Sequence, residues 1–245
     1  MQISATIITF NEEEKIADAI KSVAFADEIL VVDSESTDKT REIAESLGAK
    51  IIIQKWLGFG KQKQFAVEAA THDWILSLDA DERISDELKQ EIINLSPKAD
   101  AFKIPRLTFY LNRPVKHGGW YPDWQIRFFN RNKASWKDVL IHESVEVAGK
   151  TDKLKGDILH YSVEDMGHHH RMIGERYAPL AARQMFERGR RTTKLKIYTA
   201  GFIAFLQTYI LKAGFLDGFA GFCIACFAAH HAFLKHLLLW EMQKK

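Results

Sequence analysis

The sequence predicts an α/β fold in which a Rossmann-like sheet is flanked by helices and followed by an amphipathic helical appendage. Three apolar runs of strand length between Met1 and Asp81 end abruptly at polar or acidic residues, and helical periodicity follows the first two. Strands that alternate with helices in this order build a largely parallel sheet. The region from Arg171 to Lys245 differs, because it joins a run of basic residues to two apolar stretches.

The first two strands and their helices are predicted by the hydrophobic pattern. The β-rich runs at 6–10 and 28–32 favour buried strands, and each is followed by apolar residues at helical spacing. Gly48 stands where a helix C-cap is expected. The residues at helical spacing are Ile16, Ala19, Ile20 and Val23 after the first strand, and Ile43, Ala44 and Leu47 after the second.

A short strand at 51–53 and a further helix lead to the run Trp74–Leu78, the most informative stretch of the chain. This apolar run is typical of a buried strand in a parallel sheet, and it stops at Asp79 and Asp81. Open α/β sheets bind their ligands at the carboxyl ends of the strands. Because polar and acidic residues follow three strands on this one edge, the sequence predicts a functional site there.

Asp79 and Asp81 indicate a divalent metal ion. Two close carboxylates repel each other unless a positive group joins them, and hard ions take oxygen ligands from Asp and from substrate phosphates. The alternative is an acidic loop that caps the next helix, since Ser85-Asp86-Glu87-Leu88 has the pattern of a helix start. Taken alone, the Asp-x-Asp pattern leaves both interpretations open.

Charge is distributed unevenly along the chain. The net charge of the whole sequence is +2, but Arg171–Lys245 alone carries +8, which leaves −6 for the part before Arg171. Because the two parts of the chain carry net charges of opposite sign, the basic C-terminal region is predicted to meet an anionic partner.

The hydrophobic content of 47% is enough for a substantial core. No signal segment is expected, because Met1–Phe10 runs directly into the first strand, and two cysteines fit a reducing cytosol.

The C-terminal region is predicted to rest on a membrane surface. A basic run from Arg183 to Lys196 leads into apolar stretches at 197–206 and 218–229, neither of which reaches the roughly 20 residues that span a bilayer. Basic residues beside amphipathic helices favour the membrane interface. A helical lid or a dimer interface, and with it a homo-oligomer, would use the same surfaces. Nucleic acid is not expected as a partner, because no recognition module accompanies the basic run.

Several motifs together resemble a known enzyme family. Thr9-Phe10-Asn11-Glu12, Val32-Asp33-Ser34-Glu35-Ser36-Thr37-Asp38 and Asp79-Ala80-Asp81-Glu82 resemble the family 2 glycosyltransferases of GT-A fold. The tract from His117 to Arg127, the element Ile141-His142-Glu143 and the tail Gly214–Gly218 resemble bacterial β-1,4-glucosyltransferases of the lipopolysaccharide inner core. The resemblance covers nearly the whole chain and implies a mixed sheet flanked by helices.

The resemblance implies a domain organisation as well. Residues 1–165 would form the GT-A catalytic domain, with a nucleotide-sugar half at about 1–100 and an acceptor half at about 101–165. Residues 166–245 would form a basic, amphipathic helical region that associates with the membrane. The protein would then be cytoplasmic and peripherally bound to the cytoplasmic face of the inner membrane.

Site residues are implied position by position. Asp81 would coordinate the Mg²⁺ or Mn²⁺ ion that bridges the diphosphate of a UDP-sugar. Asp79 would contact the ribose or help to hold the ion, and His160 would be a further metal or phosphate ligand. Arg127 would contact the diphosphate or the acceptor, and Asp33 the uracil or ribose. The full set expected around the nucleotide sugar is Thr9, Asn11, Glu12, Asp33, Lys61, Lys63, Gln64, Asp79 and Arg127.

The implied reaction is inverting hexosyl transfer by a single displacement. A hexose, glucose by the resemblance, would move from a UDP-sugar to a lipid-linked saccharide such as the lipopolysaccharide inner core. The catalytic base would be Glu143, which follows an apolar run where a raised pKa suits a general base, or Asp123, which lies shortly before Arg127. Two alternatives stay open: the same fold acting on polyprenyl phosphate, another lipid-linked sugar or a peptide, and a catalytically inactive nucleotide-sugar-binding protein.

Overall fold

The computed structural model describes residues 1–137, 144–163 and 165–244. These residues group into two compact units. The first unit consists of Met1–Arg106 and Asp123–His160, and the second consists of Leu107–Pro122 and Tyr161–Lys245.

The first part of the chain alternates strands and helices. The elements are β1 (Ile3–Thr9), α1 (Ile16–Ser22), β2 (Glu28–Asp33), α2 (Thr40–Ser46), β3 (Lys50–Ile53), α3 (Phe59–Ala69) and β4 (Trp74–Asp79). The strands pair in parallel in the order β3–β2–β1–β4. The carboxyl ends of these strands therefore share one edge of the sheet, as the sequence predicts.

Further strands follow, and those that pair antiparallel make the main sheet mixed, while β11 (Thr151–Lys153) pairs with β6 (Ala101–Tyr110) in parallel. These further strands and one helix are β5 (Glu82–Ile84), α4 (Asp86–Ile93), β6 (Ala101–Tyr110), β7 (Arg113–Pro114), β8 (Asp123–Asn130), β9 (Ala134–Trp136), β10 (Val145–Val147), β11 (Thr151–Lys153) and β12 (Ile158–Val163). From β4 the order continues β8–β6–β12–β5, with β8 antiparallel to both β4 and β6. Strands β9 and β10 form a separate antiparallel pair.

Helices cover both faces of the parallel strands. Every residue of β1 is buried, and successive side chains point to opposite faces of a strand. Ile7 accordingly packs with α1 and α4 through Ile20 and Leu88, whereas Ile8 packs with α3 through Val67. This three-layer arrangement confirms the predicted α/β class, and it explains why the strands are continuous apolar runs.

The sequence-based strand predictions hold to within a few residues. Each of the predicted strands at 6–10, 28–32, 51–53 and 74–78 coincides with one of β1 to β4. Gly48 has a φ of 80° just after α2, which is the left-handed conformation expected at a helix C-cap. Ser85 caps α4 by accepting the Leu88 N–H at 3.2 Å. Asp33 and Asp79 are the last residues of β2 and β4, so the backbone of the sheet positions both carboxylates.

The second unit is mainly helical. Its helices are α5 (Met166–Arg171), α6 (Ala178–Glu187), α7 (Lys194–Leu206) and α8 (Gly218–Met242), joined by π-helical turns at Met172–Tyr177 and Gln207–Leu211 and a 3₁₀ turn at Gly214–Asp217. Helices α7 and α8 lie side by side, and a Cβ added at Gly201 would lie 3.2 Å from the Ala229 carbonyl oxygen. Glycine at this position therefore allows the two helices to approach closely.

Helix α8 is longer than the sequence predicts. Within the described residues, one helical segment, Gly214–Met242, is long and apolar enough to cross a bilayer by length and composition, with a mean hydropathy of 1.5 over its most apolar stretch of 18 residues. The sequence-based prediction counted only uninterrupted apolar residues, whereas the helix that contains the stretch at 218–229 continues beyond Ala229 as far as Met242. His230, His231, Lys235 and His236 lie in that continuation and interrupt the apolar run without ending the helix.

One carboxylate joins two glycine-containing motifs of the second unit. Asp217 accepts hydrogen bonds from the backbone N–H of Lys116 and His117, at 3.3 and 2.8 Å, and lies 2.9 Å from Nδ1 of His117. Gly119 has a φ of 84°, and a Cβ there would lie 2.8 Å from Nζ of Lys212. The tract at 117–119 and the 3₁₀ turn are thus one structural feature.

The buried His169 makes the stability of the protein depend on pH. Burial, and after it the charge of the neighbouring His168, lowers the pKa of His169 to about 4, and the Tyr110 hydroxyl lies 3.0 Å from its Nδ1. An unfolded histidine protonates near pH 6.5, so the contribution of His169 is complete above that pH and is lost as the pH falls towards 4. We expect His169→Gln to flatten the decline of the urea midpoint between pH 7.5 and 5, and an unchanged slope would contradict this account.

Candidate active site

The carboxyl ends of β1 and β2 form one side of the site, in the first unit. Asp33 is fully buried, and its Oδ2 accepts the Ser36 N–H at 2.9 Å. Within the described residues, its buried Oδ1 and the buried Thr9 hydroxyl have no hydrogen-bond partner. Buried polar atoms are nearly always satisfied, so this edge offers two polar groups that a ligand can engage.

The loops after β1 and β2 fix each other. Asn11 has a φ of 51° and accepts the Thr37 N–H at 2.8 Å, while its own N–H donates to the Ser36 hydroxyl at 2.9 Å. The Glu12 N–H donates to the Thr40 hydroxyl at 2.8 Å, and the Glu12 carboxylate lies 3.3 Å from Nζ of Lys15. The backbone of Asn11 and Glu12 is therefore held rigidly beside Asp33.

Asp79 lies between two buried cations. Nζ of Lys63 is 3.0 Å from both carboxylate oxygens of Asp79, and Nη2 of Arg127 is 3.0 Å from Oδ2. Burial alone would raise the pKa of Asp79, but the charges of Lys63 and Arg127 outweigh it and hold that pKa well below its usual range. Asp79 is therefore ionised and paired with protein cations.

Glu82 continues this chain of alternating charges. Its Oε1 accepts hydrogen bonds from Nη2 of Arg127 at 2.9 Å and from Nη1 of Arg106 at 3.1 Å, and its Oε2 accepts the Asp79 N–H at 3.0 Å. Arg106 in turn donates to Asp123 from Nε at 2.9 Å and from Nη2 at 2.7 Å. Burial would lower the pKa of Arg106, but the charges of Glu82 and Asp123 raise it. The fully buried Glu82 thus links two arginines from two strands.

Removing the charge of Glu82 should destabilise the protein strongly. In Glu82→Gln, Arg106 and Arg127 keep their charges without the buried carboxylate that joins them, and breaking a buried ion pair costs about 3–5 kcal/mol. Urea unfolding measures this loss. Glu45→Gln, at an exposed position on α2, is the matched control and should change the free energy of unfolding by less than about 0.5 kcal/mol. A Glu82→Gln variant as stable as the control would refute the structural role.

Asp81 lies outside the chain of paired charges and faces a histidine. Its Oδ2 is 3.4 Å from Nε2 of His160, and both side chains are partly exposed. Among the described residues, no group of three or more His, Cys, Asp or Glu side chains could hold a metal ion by itself. A carboxylate beside an imidazole nevertheless fits Mg²⁺ or Mn²⁺, because such ions commonly use one or two protein ligands and complete their shell with substrate phosphates. The donor set favours Asp81 and His160 over Asp79.

Helix α3 divides its polar residues between the interior and the solvent. Lys63 is buried and lies 4.9 Å from the ring centroid of Trp136, whereas Lys61 is exposed. The side-chain carbonyl of Gln64 accepts a hydrogen bond from the backbone N–H of Trp136 at 2.9 Å, and the side-chain Nε2 of Gln64 donates to Glu68. Of the three residues expected near the donor, the structure brings Lys63 to Asp79 and gives Gln64 a role in holding β9.

Of the two base candidates, Asp123 is described and Glu143 lies outside the described residues. Both carboxylate oxygens of Asp123 are engaged, Oδ2 by Arg106 and Oδ1 by Gln125 at 2.7 Å. The described residues on either side of 138–143 are joined, since the Lys137 N–H donates to the Ser144 carbonyl at 2.9 Å. Trp136, the residue before Lys137, has its ring centroid 5.5 Å from the guanidinium of Arg127, so the chain that leads to residue 138 is in contact with the site.

For three residues of this site, the sequence alone indicated no role. They are Gln62, Glu82 and Arg106. Gln62 is fully buried, and its amide donates to the Ser34 hydroxyl and to the Gln54 carbonyl, both at 3.1 Å. Its spacing of four from the apolar Ala66 places it on the inner face of α3, a signal that the sequence contains. No comparable signal pairs Arg106 with Glu82, because that contact depends on how the antiparallel strands fold back.

A family model and several similar proteins all indicate that the chain is related to glycosyltransferases. The sequence model described as "Glycosyl transferase family 2" matches residues 4–149. An uncharacterized glycosyltransferase of Rickettsia typhi is 34% identical over 100% of this chain and 88% of its own length. The lipopolysaccharide core biosynthesis glycosyltransferase LpsC of Rhizobium meliloti is 28% identical over 98% of this chain and 93% of its own length.

Solved structures agree at the level of the fold. The crystal structure of S. aureus TarS 1–349 in complex with UDP-GlcNAc aligns with a TM-score of 0.51 at 16% identity, over 100% of this chain and 92% of that one. The family model covers more than half of the chain, including the strand-end residues Asp33, Asp79 and Asp81. The chain therefore belongs to glycosyl transferase family 2 and has the GT-A fold.

Proposed function

We propose that this glycosyltransferase moves a hexose, glucose in the first instance, from a UDP-sugar to a lipid-linked saccharide with inversion at the anomeric carbon. The observation that carries the proposal is the edge of the sheet in the first unit. There, Thr9 and Asp33 end β1 and β2 with unsatisfied polar atoms, and Asp79 ends β4 in contact with the buried cations Lys63 and Arg127. Asp81 follows two residues later and faces His160. Each group matches one part of a nucleoside diphosphate sugar.

The nucleotide would bind at β1 and β2. Asp33 Oδ1 accepts a hydrogen bond from the uracil or ribose, and the rigid backbone at Thr9, Asn11 and Glu12 lies beside it. Satisfying a buried acceptor contributes to affinity, because leaving it unpaired costs about 1–3 kcal/mol. The fold shared with TarS, whose crystal structure contains UDP-GlcNAc, supports a UDP-linked donor.

The diphosphate would bind at the other strand ends. Arg127 and Lys63 contribute positive charge, although both already contact Asp79. Asp81 and His160 would hold Mg²⁺ or Mn²⁺, which supplies electrostatic stabilisation of the leaving diphosphate. Asp79 then orients Lys63 and Arg127, a positioning role that keeps both cations at the edge of the sheet.

The chemistry is one displacement. The acceptor hydroxyl oxygen attacks the anomeric carbon while the bond from that carbon to the diphosphate oxygen breaks, and UDP leaves with the bonding electrons. The proton of the hydroxyl passes to a carboxylate base. We assign that base to Glu143, because Asp123 already accepts hydrogen bonds from Arg106 and Gln125. Attack from the face opposite the diphosphate converts an α-linked donor into a β-glycoside.

The acceptor would be presented at the cytoplasmic face of the inner membrane. Similarity to LpsC, whose name places it in lipopolysaccharide core biosynthesis, supports a lipid-linked saccharide over a peptide. A soluble donor and an amphiphilic acceptor also suit a peripheral protein whose C-terminal region is basic and apolar.

A donor panel tests the proposal. Purified protein is incubated with UDP-glucose, UDP-galactose and UDP-GlcNAc in Mn²⁺, Mg²⁺ or EDTA, with and without purified inner-core lipopolysaccharide. We expect metal-dependent UDP release that acceptor accelerates, and a β-linked product by NMR. Donor binding without turnover on any acceptor would favour a nucleotide-sugar-binding protein, and absence of donor binding under every condition would refute the proposal.

A further inference from the structure

Within the second unit, an apolar surface that the described residues leave exposed runs along α7 and over the turn into α8. Its members recur every three or four residues along one face of α7 and its π-helical extension, and then continue around the turn. Tyr198 is 76% exposed and Leu211 is 79% exposed, values far above those of ordinary core residues. The members of this apolar stripe are Leu195, Tyr198, Phe202, Leu206, Ile210, Leu211, Phe215, Leu216 and Phe219.

The stripe is a consequence of how α7 packs. Ile197 is the buried residue of α7, and Gly201 approaches the Ala229 carbonyl of α8. Gly201 thus gives α7 its close approach to α8, and Phe205 contacts Phe222 of α8 with 6.0 Å between the ring centroids, whereas the side chains of the stripe remain exposed. A soluble protein rarely exposes so many contiguous large apolar side chains without a partner for them.

The surrounding charges identify the partner. From Arg188 to Leu216 the chain contains basic residues and no acidic one. Arg190, Arg191, Lys194 and Lys196 lie at the start of the stripe and are exposed, and the exposed Lys212 lies at its far end. Apolar side chains beside basic residues are complementary to the acyl chains and anionic headgroups of a bilayer, whereas a second copy of this chain would bring like charges together.

We propose that the apolar stripe lies in the plane of an anionic bilayer, with α7 parallel to the surface and its basic residues on the headgroups. In-plane binding fits better than a span of Gly214–Met242, because a span would bury Lys235 and three histidines of α8 in hydrocarbon. The inference deepens the proposed function, since it names the surface that brings the enzyme to a lipid-linked acceptor. Vesicle binding is measured without any sugar, so this inference and the proposed transferase function can fail independently of each other.

Vesicle flotation tests the proposal on the full chain. With vesicles that mix phosphatidylglycerol into phosphatidylcholine we expect binding that concentrated NaCl releases, and at least tenfold weaker binding to pure phosphatidylcholine. The triple variant Tyr198→Gln, Phe202→Gln, Leu211→Gln should bind at least tenfold more weakly than wild type, while Ile93→Gln, an exposed apolar residue of the first unit, should not differ. Both variants should retain wild-type UDP release from donor.

A depth measurement separates the possible arrangements. Beyond the emission of the six native tryptophans, the emission that Phe202→Trp adds should be quenched by lipids brominated near the headgroup end of the acyl chain, whereas the emission that Ile93→Trp adds should not be quenched. Salt-resistant binding that only detergent reverses would indicate a spanning α8 and overturn in-plane docking. A wild-type dimer in light scattering that the triple variant makes monomeric, together with no vesicle binding, would assign the stripe to a second copy and also overturn the proposal.

Discussion

Replacing Asp81 by Asn is expected to reduce hexosyl transfer by about 10³-fold and to remove the dependence of donor binding on Mn²⁺. The side chain stays the same size, but the carboxylate that faces His160 at 3.4 Å loses its charge and with it its affinity for a hard cation. A factor of 10³ corresponds to about 4 kcal/mol, the scale of electrostatic stabilisation by a metal ion at a leaving group.

Two measurements make this prediction specific to metal binding. Calorimetric titration of UDP with and without Mn²⁺ should show coupling between the two ligands in the wild type and none in Asp81→Asn. Asp152→Asn, an exposed position on β11, serves as the matched control and should behave as wild type. If metal-coupled UDP binding persists in Asp81→Asn, residues other than Asp81 hold the metal ion.

Asp79→Asn should give a different phenotype although the two carboxylates belong to one short motif. Asp79 compensates the buried charge of Lys63 and part of that of Arg127, so its loss leaves protein cations unpaired. We therefore expect Asp79→Asn to lower the free energy of unfolding, whereas Asp81→Asn should leave it within about 0.5 kcal/mol of wild type. The two carboxylates of the Asp-x-Asp motif are thus expected to differ, with Asp79 pairing protein cations and Asp81 holding the metal ion.

The sequence was sufficient for the parallel half of the fold and insufficient for the antiparallel half. Buried parallel strands are recognisable as apolar runs, and the runs ending at Asp33 and Asp79 became β2 and β4. The contacts of Arg106 with Glu82 and Asp123 depend instead on β6, β8 and β12 folding back beside the parallel strands. Such long-range pairing leaves no periodic signal near the residues concerned.

The same distinction applies to the site. Position at a strand end predicted that Asp33, Asp79 and Asp81 would belong to one edge, since the topology alone brings strand ends together. Which carboxylate would be paired with protein cations was not predictable, because it depends on Lys63 reaching inward from α3 and Arg127 from β8. In the C-terminal region, composition predicted amphipathic helices at a membrane surface, but which side chains of α7 are exposed became known only from the structure.

Replacing Glu143 by Gln is expected to reduce transfer strongly while leaving donor affinity intact. Removing a general base lowers kcat by about 10²–10⁴-fold, and it should also eliminate the acidic limb of the pH profile, where the wild-type carboxylate becomes protonated. Asp123→Asn should instead weaken the contact with Arg106 and reduce stability, with a fall in kcat of less than about tenfold. Single-turnover transfer, UDP binding and urea unfolding of both variants decide between them. If Asp123→Asn is stably folded, binds UDP and yet loses the acidic limb, then Asp123 is the base, and the hydrogen bonds that Arg106 and Gln125 donate to it must open when acceptor binds.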